Sequence, residues 1–204
     1  MPTKLLLATS NPGKLREYEA LAAGRAAALE LLPRYDVLPR FEEAAPTFAE
    51  NATGKALHYS RQADGIVLAD DSGLVVDALD GAPGVHSARY AGVGASDADR
   101  VHKLLREMKA CGASNRSARF ICVIALAQAG CALAIVSDSV EGALLEAPRG
   151  TQGFGYDPIF YFPPLRKGFA ELTREEKNEH SHRGKAFRKL LDWLERFRGA
   201  AGQS

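Results

Sequence analysis

The first part of the chain alternates short apolar runs with segments of helical periodicity. Residues 5–8 form an apolar run with the length of a buried strand. Asn11 and Pro12 follow, and they suit the N-cap and the first position of a helix. The next apolar residues recur on one helix face: Leu15, Tyr18, Leu21 and Ala22. This pattern predicts a strand, a polar turn and a helix.

A second helix and strand are predicted further along. Thr47 and Glu50 have the spacing of a capping box before a helix over residues 48–63. Residues 66–69 form another apolar run, which ends in the polar sequence DDSG. We therefore expect Asp70 and Asp71 at the end of a buried strand.

The middle of the chain predicts paired strands, and the end predicts a helix. Residues 120–127 and 132–136 are apolar and flank a turn at Gly130, and Val140 is predicted to extend a further strand. Ser96 and Asp99 begin a helix between these regions. The last helix has an apolar side made of Ala186, Phe187, Leu190, Leu191, Leu194 and Phe197.

These elements predict an α/β fold with a mixed sheet. No internal repeat or linker is visible, so residues 1–204 are expected to form one domain with a frayed tail from about residue 199. Hydrophobic residues make up 46% of the chain and charged residues 25%, which excludes a disordered or collagenous protein.

Charge and hydropathy narrow the class of ligand and the compartment. The net charge of +1 gives no overall attraction to nucleic acid or an acidic membrane, so an anionic ligand needs a local site. No apolar run has the length of a membrane span, and no signal peptide is visible, so a cytoplasmic protein is expected. The cysteines, Cys111, Cys122 and Cys131, form no CxxC pair and are expected to be free thiols.

The turn TSNPGK is the first candidate for chemistry. A strand that leads into a helix presents unpaired backbone N–H groups and the positive end of the helix dipole to a phosphate. The turn is not a Walker A loop, because Ala8 replaces its first glycine and Leu15 its magnesium-binding hydroxyl. An ordinary capped helix start is the alternative. The candidate residues are Thr9, Ser10, Asn11, Pro12, Gly13 and Lys14.

Asp70 and Asp71 are candidates for a metal site, with a capped surface turn as the alternative. Adjacent carboxylates beside an apolar run are costly unless they are solvated, paired or bound to a cation. Neighbours in a strand point to opposite faces, so one of the two is expected to face a given metal ion. Mg²⁺ is commonly held by one or two carboxylates together with substrate phosphate and water. Glu42 and Glu43 are candidates for a second carboxylate, although a solvated loop explains them as well.

Two further groups have the composition of a nucleotide site. Residues 153–157, GFGYD, combine glycines that allow close backbone approach with rings that can stack on a base. A tight turn with core aromatics is the alternative. A cationic group suited to phosphates or a base carbonyl contains Lys177, His180, His182 and Arg183, although such a run is usually a solvated face. No GxSxG elbow or HExxH motif is present, so covalent catalysis has little support.

Five segments together resemble the noncanonical purine NTP pyrophosphatase family, the inosine/xanthosine triphosphate pyrophosphatases. They are ATSNPGKLREY, FAENATGKA, ADDSGLVVDALDGAPGVHSARYAG, GFGYDPIF and ELTREEKNEHSHRGKA. The resemblance covers about residues 5–191. It implies an elongated mixed β-sheet with flanking helices, in two lobes around a central nucleotide-binding cleft, and a cytoplasmic homodimer.

The resemblance also implies roles for individual residues. Asp71 is the implied catalytic residue and a ligand of Mg²⁺, and Glu42 is the implied second metal ligand, or Glu43 if the loop shifts by one. By the same resemblance, the turn from Thr9 to Lys14 is expected to hold phosphates, and Ser72 is expected to contact the substrate. The residues implied to surround the nucleoside, with Phe154 expected to stack on the base, are Phe154, Gly155, Tyr156, Asp157, Lys177, His182 and Arg183. Departures from the family pattern occur at Ser10 and Gln152, where many relatives have glycine.

The implied activity is hydrolysis of ITP, dITP and XTP to the monophosphate and pyrophosphate, which keeps damaged purines out of DNA and RNA. Donors from His182, Arg183 or backbone amides would pair with a 6-oxo group and be left unpaired by the 6-amino group of adenine. The enzymatic alternative is a Maf-like pyrophosphatase that acts on modified pyrimidine or 7-methylguanosine triphosphates. The alternative from another class is a nucleotide sensor, against which the DDS sequence argues.

Overall fold

The computed structural model describes residues 2–25 and 27–201, and within them it contains one seven-stranded sheet and five α-helices. The strands are β1 (Thr3–Leu7), β2 (Ala27–Leu31), β3 (Ile66–Val76), β4 (Ser117–Gln128), β5 (Cys131–Leu144), β6 (Phe160–Phe162) and β7 (Lys167–Gly168). The helices are α1 (Pro12–Ala22), α2 (Phe48–Ser60), α3 (Asp97–Ala110), α4 (Arg174–His180) and α5 (His182–Ala201). None of the described helices has the length and apolarity that a bilayer span requires.

The sheet has the strand order β2-β1-β3-β4-β5-β6-β7. Strand β1 runs parallel to both β2 and β3, with Leu5 opposite Leu29 and Ile66. Strand β6 is antiparallel to both β5 and β7. The sheet is therefore mixed, as predicted, and helices connect its parallel strands.

The chain divides into two compact units, each with its own hydrophobic core. The first unit comprises Met1–Asp71, Cys122–Asp138 and Arg183–Ser204, and the second comprises Ser72–Ile121 and Ser139–His182. The core of the first unit includes Leu5, Tyr18, Leu68, Ile124 and Phe187. The core of the second includes Leu74, Leu104, Phe120, Phe160 and Phe169. The prediction that the whole chain acts as one domain stays a prediction.

Side-chain caps fix the starts of the predicted helices. The Asn11 side chain caps α1, and Thr47 caps α2 by accepting a hydrogen bond from the Glu50 backbone N–H. Ser96 and Asp99 form a reciprocal capping box at the start of α3. These caps satisfy backbone donors that have no partner within a helix. The predicted starts are confirmed, although α2 ends at Ser60 and not near residue 63.

Several elements differ from the prediction. Strand β3 continues through Asp70 and Asp71 to Val76, so these residues do not end a strand. Val140 belongs to β5 itself and not to a further strand. The helix α5 extends to Ala201, and residues 202–204 lie outside the described part, so the expected frayed tail from about residue 199 stays a prediction.

Strand β2 and helix α4 were not predicted. The sequence AALEL of β2 alternates only over its last three residues, and its pairing with β1 defines it as a strand. A local signal did exist for α4, because Thr173 and Glu176 form a capping box within the densely charged region.

Candidate active site

The turn between β1 and α1 is internally hydrogen-bonded. The Asn11 carboxamide oxygen accepts from the backbone N–H groups of Gly13 at 2.8 Å and Lys14 at 3.1 Å. The Thr9 hydroxyl accepts from the Asn11 N–H at 3.1 Å. The expectation of unpaired N–H groups here is therefore wrong for Asn11, Gly13 and Lys14, because side chains of the turn already satisfy them. The groups of the turn that suit a phosphate therefore include the Thr9 and Ser10 hydroxyls and the Lys14 ammonium.

Asp70 lies inside β3 and is fully buried. Its Oδ2 atom is 3.0 Å from the Lys14 ammonium and 3.5 Å from the Arg183 guanidinium. Burial acts to raise the pKa of Asp70, but the positive charges of Lys14, Arg183 and Lys55 and the hydrogen bond from Lys14 together outweigh it and hold the pKa below its ordinary value. The strand continues through a buried carboxylate because two cations compensate its charge.

Asp71 has a different environment from its neighbour. Only 6% of its surface is exposed, and the Asn51 carboxamide nitrogen donates to its Oδ2 atom at 3.1 Å. Burial raises the pKa of Asp71 to about 6, and the charge of Glu43 adds to this effect, while Lys14 and Asn51 oppose it. Because this pKa lies just below neutral pH, Asp71 is mostly ionised at pH 7 and its carboxylate can accept a proton. Asp70 and Asp71 differ in their hydrogen-bond partners, and the expectation that one of them faces a metal ion stays a prediction.

Helix α2 contributes two residues that the sequence analysis did not assign. Asn51 and Lys55 are one helical turn apart, and both are buried. The Lys55 ammonium lies 2.8 Å from Glu43 Oε1. Burial acts to lower the pKa of Lys55, but the charges of Glu43, Tyr35 and Asp70 and the hydrogen bond to Glu43 together outweigh burial and raise it. The sequence did contain a signal for these two residues, because Asn51 and Lys55 are polar but lie on the buried face of the helix.

A cavity of about 800 Å³ opens in the first unit beside this group. The turn after β1 forms one wall, and the segment after β2 forms another. Glu43 and Lys55 line it, whereas Glu42 is exposed. Its lining residues are Thr9, Ser10, Asn11, Pro12, Leu15, Leu31, Leu32, Pro33, Arg34, Tyr35, Asp36, Arg40, Phe41, Glu43, Lys55 and Tyr59.

Arg183 belongs to the first unit and lies in its interior. The guanidinium pairs with Glu17 as well as with Asp70, and its side chain is 2% exposed. The positive charge is therefore directed at two carboxylates of its own unit. The first unit brings together these predicted residues: Thr9, Asn11, Lys14, Asp70, Asp71 and Arg183.

The second unit contains the glycine-rich loop and its cationic partner. Asp157 accepts a hydrogen bond from the Phe154 N–H at 2.8 Å and forms a short ion pair with Lys177. The Lys177 ammonium lies 5.0 Å from the centroid of the Phe154 ring. A Cβ atom at Gly153 would lie 2.1 Å from Asp157 Oδ2, so this position requires glycine.

Two predicted ligands have side chains in the core of the second unit. The Tyr156 hydroxyl donates to the Ser87 carbonyl at 2.9 Å, and its side chain is buried. The His182 ring is buried and stacks on Phe120 with the centroids 4.7 Å apart. Ser72 is half-buried and directly follows Asp71. The predicted nucleoside group is thus divided, with Arg183 in the first unit and the others in the second.

Asp71 and Glu43 have the hard oxygen atoms that a divalent cation prefers, and the charge of Glu43 acts on Asp71. The described residues contain no cluster of three or more His, Cys, Asp or Glu side chains placed to hold a metal. Mg²⁺ commonly takes one or two carboxylates and completes its shell with phosphate and water. The charge of Glu43 raises the pKa of Asp71, and a cation between the two would relieve this repulsion.

The first unit places two adjacent buried carboxylates, Asp70 and Asp71, beside the Lys14 ammonium of the turn after β1, and this chemistry suits an enzyme that acts on phosphate groups. Residues 5–193 match the sequence profile of the Ham1 family. The chain belongs to the Ham1 family, and the family resemblance of the sequence is confirmed.

Curated relatives and solved structures agree with this membership. A dITP/XTP pyrophosphatase of Geobacillus kaustophilus is 48% identical over 201 residues, which cover 98% of each chain. A dITP/XTP pyrophosphatase of Gloeobacter violaceus is 50% identical over 194 residues, which cover 94% of each. A HAM1 protein of Coxiella burnetii superimposes with a TM-score of 0.84 at 43% identity and covers 95% of this chain and 99% of its own. The predicted α/β fold class is thereby confirmed.

Proposed function

We propose that this protein hydrolyses ITP, dITP and XTP to the monophosphate and pyrophosphate, and so removes damaged purines from the nucleotide pool. The observation that carries the proposal is the buried base Asp71, with a pKa of about 6, in the same unit as the cationic turn and its cavity. The names of the Geobacillus and Gloeobacter relatives, dITP/XTP pyrophosphatases, support the substrate class.

Asp71 and Glu43 are the proposed ligands of Mg²⁺. We prefer Glu43 to Glu42 because its charge acts on Asp71 and because it lines the cavity. Lys55 holds the Glu43 carboxylate in place at 2.8 Å. A bound Mg²⁺ supplies positive charge that polarises phosphoryl oxygens and stabilises the leaving pyrophosphate.

Asp71 acts as the general base in the proposed reaction. It accepts a proton from a water molecule, whose oxygen forms a bond to the α-phosphorus. The bond between the α-phosphorus and its bridging oxygen to the β-phosphate breaks, and pyrophosphate leaves. Lys14 and Lys55 offset the charge of the phosphate chain, with the hydroxyls of Thr9 and Ser10 as further donors.

Base recognition is the proposed role of the loop in the second unit. Phe154 stacks on the purine, and Lys177 supplies positive charge next to that ring. Lys177 or a backbone amide of the loop then donates to the 6-oxo group. In this proposal, His182 and Arg183 stabilise the fold of their units. His182 stacks on Phe120 in the interior of the second unit, and Arg183 pairs with carboxylates of the first unit.

The remaining proposals concern assembly and compartment. We propose a cytoplasmic homodimer, on the strength of the family resemblance. We propose free nucleotides as the ligands, and not nucleic acid or a membrane surface, because a net charge of +1 gives no overall attraction to a large anionic surface.

A substrate panel tests the function directly. Pyrophosphate release is measured with dITP, XTP, dGTP, ATP, UTP and 7-methyl-GTP, each with Mg²⁺ and with EDTA. We expect rapid release from dITP and XTP and none in EDTA. Activity confined to UTP or 7-methyl-GTP would support the Maf-like alternative, and tight nucleotide binding without any release would support a sensor.

A further inference from the structure

We propose that Asn51 is a positioning residue that sets the spacing between the two metal-binding carboxylates. The inference rests on the proposed function and concerns how the metal site is built. A single buried carboxamide connects Asp71 in β3 to the loop that follows Glu43. No charge or nucleophile is involved, so Asn51 acts through the residues that it holds.

The geometry of the carboxamide is fully specified. Its oxygen accepts a hydrogen bond from the Ala45 N–H at 3.0 Å. Its nitrogen donates to the Ala45 carbonyl at 3.2 Å and to Asp71 Oδ2 at 3.1 Å. Ala45 is two residues after Glu43 in the chain. One side chain therefore binds both backbone polar groups of the loop residue and one oxygen of the base.

The surroundings of the Asn51 side chain hold it in one orientation. Asn51 is 0% exposed and lies in the first turn of α2, where its own N–H donates to the Thr47 carbonyl. Three of the four hydrogen bonds that a carboxamide can make are used here. A buried carboxamide with its donors and its acceptor engaged has one stable orientation, which fixes the Asp71 oxygen relative to Ala45.

Other residue types do not provide the same contacts. An aspartate would place a third carboxylate against Asp71 and could not donate to the Ala45 carbonyl. A leucine would match the size but leave three buried polar groups without these partners. Only a carboxamide of this length supplies one acceptor and two donors in the required directions.

Helix α2 thereby organises both carboxylates from one face. Asn51 holds Asp71 and the backbone after Glu43, and Lys55, one turn later, holds the Glu43 carboxylate. Supporting contacts of this kind typically change metal affinity or activity by about 10–100-fold when they are removed. We expect Asn51 to act on metal affinity and turnover and not on substrate capture by the turn after β1.

The test compares Asn51→Ala and Asn51→Ser with Ser60→Ala as a matched control. Ser60 is buried on the same helix, and its hydroxyl hydrogen-bonds the Gly130 N–H and the Leu57 carbonyl. Calorimetry measures binding of Mg²⁺ alone to the intact protein, and steady-state assays measure kcat and KM for dITP. Thermal unfolding reports the loss of stability in each variant.

Asn51→Ala is expected to weaken Mg²⁺ binding and lower kcat by about 10-fold or more, with KM for dITP within about threefold. For Asn51→Ser, we expect a Mg²⁺ affinity and a kcat between those of Asn51→Ala and the wild type. For Ser60→Ala, we expect a loss of stability with unchanged Mg²⁺ affinity and kcat. Mg²⁺ affinity and kcat within about twofold of wild type in both Asn51 variants would overturn the inference. Equal effects in the control would also overturn it.

Two measurements separate this inference from the proposed function. If Asp71→Asn is inactive while the Asn51 variants behave as wild type, only the role of Asn51 fails. If Asp71→Asn remains active, the catalytic assignment itself fails. In the wild-type protein the Ala45 amide is expected to exchange slowly with deuterium because Asn51 accepts its hydrogen bond. Rapid exchange there would contradict the proposed contact even if no Asn51 variant folds.

Discussion

Asp70 and Asp71 are adjacent in β3 yet have opposite electrostatic environments. Asp70 lies between Lys14 and Arg183, which hold its pKa below its ordinary value. Asp71 accepts a hydrogen bond from the neutral Asn51 carboxamide, and burial raises its pKa to about 6. The alternation of a strand places the two carboxylates among different partners. Asp70 is therefore a buried charge that stabilises the fold, and Asp71 is suited to proton transfer.

Asp71→Asn should abolish turnover and stabilise the metal-free protein. An asparagine accepts no proton, so kcat for dITP should fall by about 10²–10⁴-fold. Because the folded-state pKa of Asp71 is raised from 3.8 to about 6, the charged carboxylate disfavours the folded state at neutral pH. Removing that charge should add roughly 1–3 kcal/mol of stability at pH 7.5 in EDTA.

Urea unfolding in EDTA checks the stability effect. The contribution of Asp71 to the free energy of unfolding falls as the pH rises from about 4 to about 6, because the folded state binds the proton of this carboxyl more tightly than the unfolded state does. The gain of Asp71→Asn over the wild type should therefore shrink at pH 4. A variant less stable than the wild type at pH 7.5 would contradict the assigned environment.

Asp70→Asn should destabilise the first unit strongly. It removes the buried counter-charge that Lys14 and Arg183 share, and breaking a buried ion pair typically costs about 3–5 kcal/mol. The control is Glu30→Gln, which breaks an exposed pair with Lys4 and should cost less than about 1 kcal/mol. Chemical unfolding at pH 7.5 measures both, and a similar cost for the two variants would refute the role given to Asp70.

Arg34 and Arg40 should strengthen binding of the pyrophosphate product. Both line the cavity beside the turn after β1, and both are exposed. Because solvent screens an exposed guanidinium, each alanine variant should raise the inhibition constant of pyrophosphate by only about threefold. Arg25→Ala is the control, since Arg25 is exposed and lies outside the cavity lining. An unchanged inhibition constant in Arg34→Ala combined with Arg40→Ala would rule out this role.

Cys122 should resist thiol reagents in the native protein. Burial, and after it the charge of Asp70, raises the pKa of this thiol to about 12, whereas Cys111 and Cys131 are exposed. The reactive thiolate is therefore absent at Cys122 up to pH 9. Mass spectrometry after N-ethylmaleimide treatment should show two adducts in the native state and three in urea. Rapid native labelling of Cys122 would be inconsistent with its burial.

Local sequence determined the starts of several helices and the polar turn after β1. Asn11, Thr47 and Ser96 cap helices through residues two or three positions away, so a short window contains the whole interaction. The family resemblance implied site roles for Asp71 and for residues 154–157, and those roles stay predictions. The Mg²⁺ site, the homodimer and the individual substrate contacts stay predictions.

Tertiary structure decided which polar groups are open to a ligand and which are already engaged. The Lys14 and Asp70 pair joins residues 56 positions apart, and the Arg183 and Asp70 pair joins residues 113 apart. No local pattern shows that such charges meet, or that Asn51 rather than a nearby glutamate contacts Asp71. Burial and charge at a site depend on the sum of its neighbours in space, and the folded chain alone determines those neighbours.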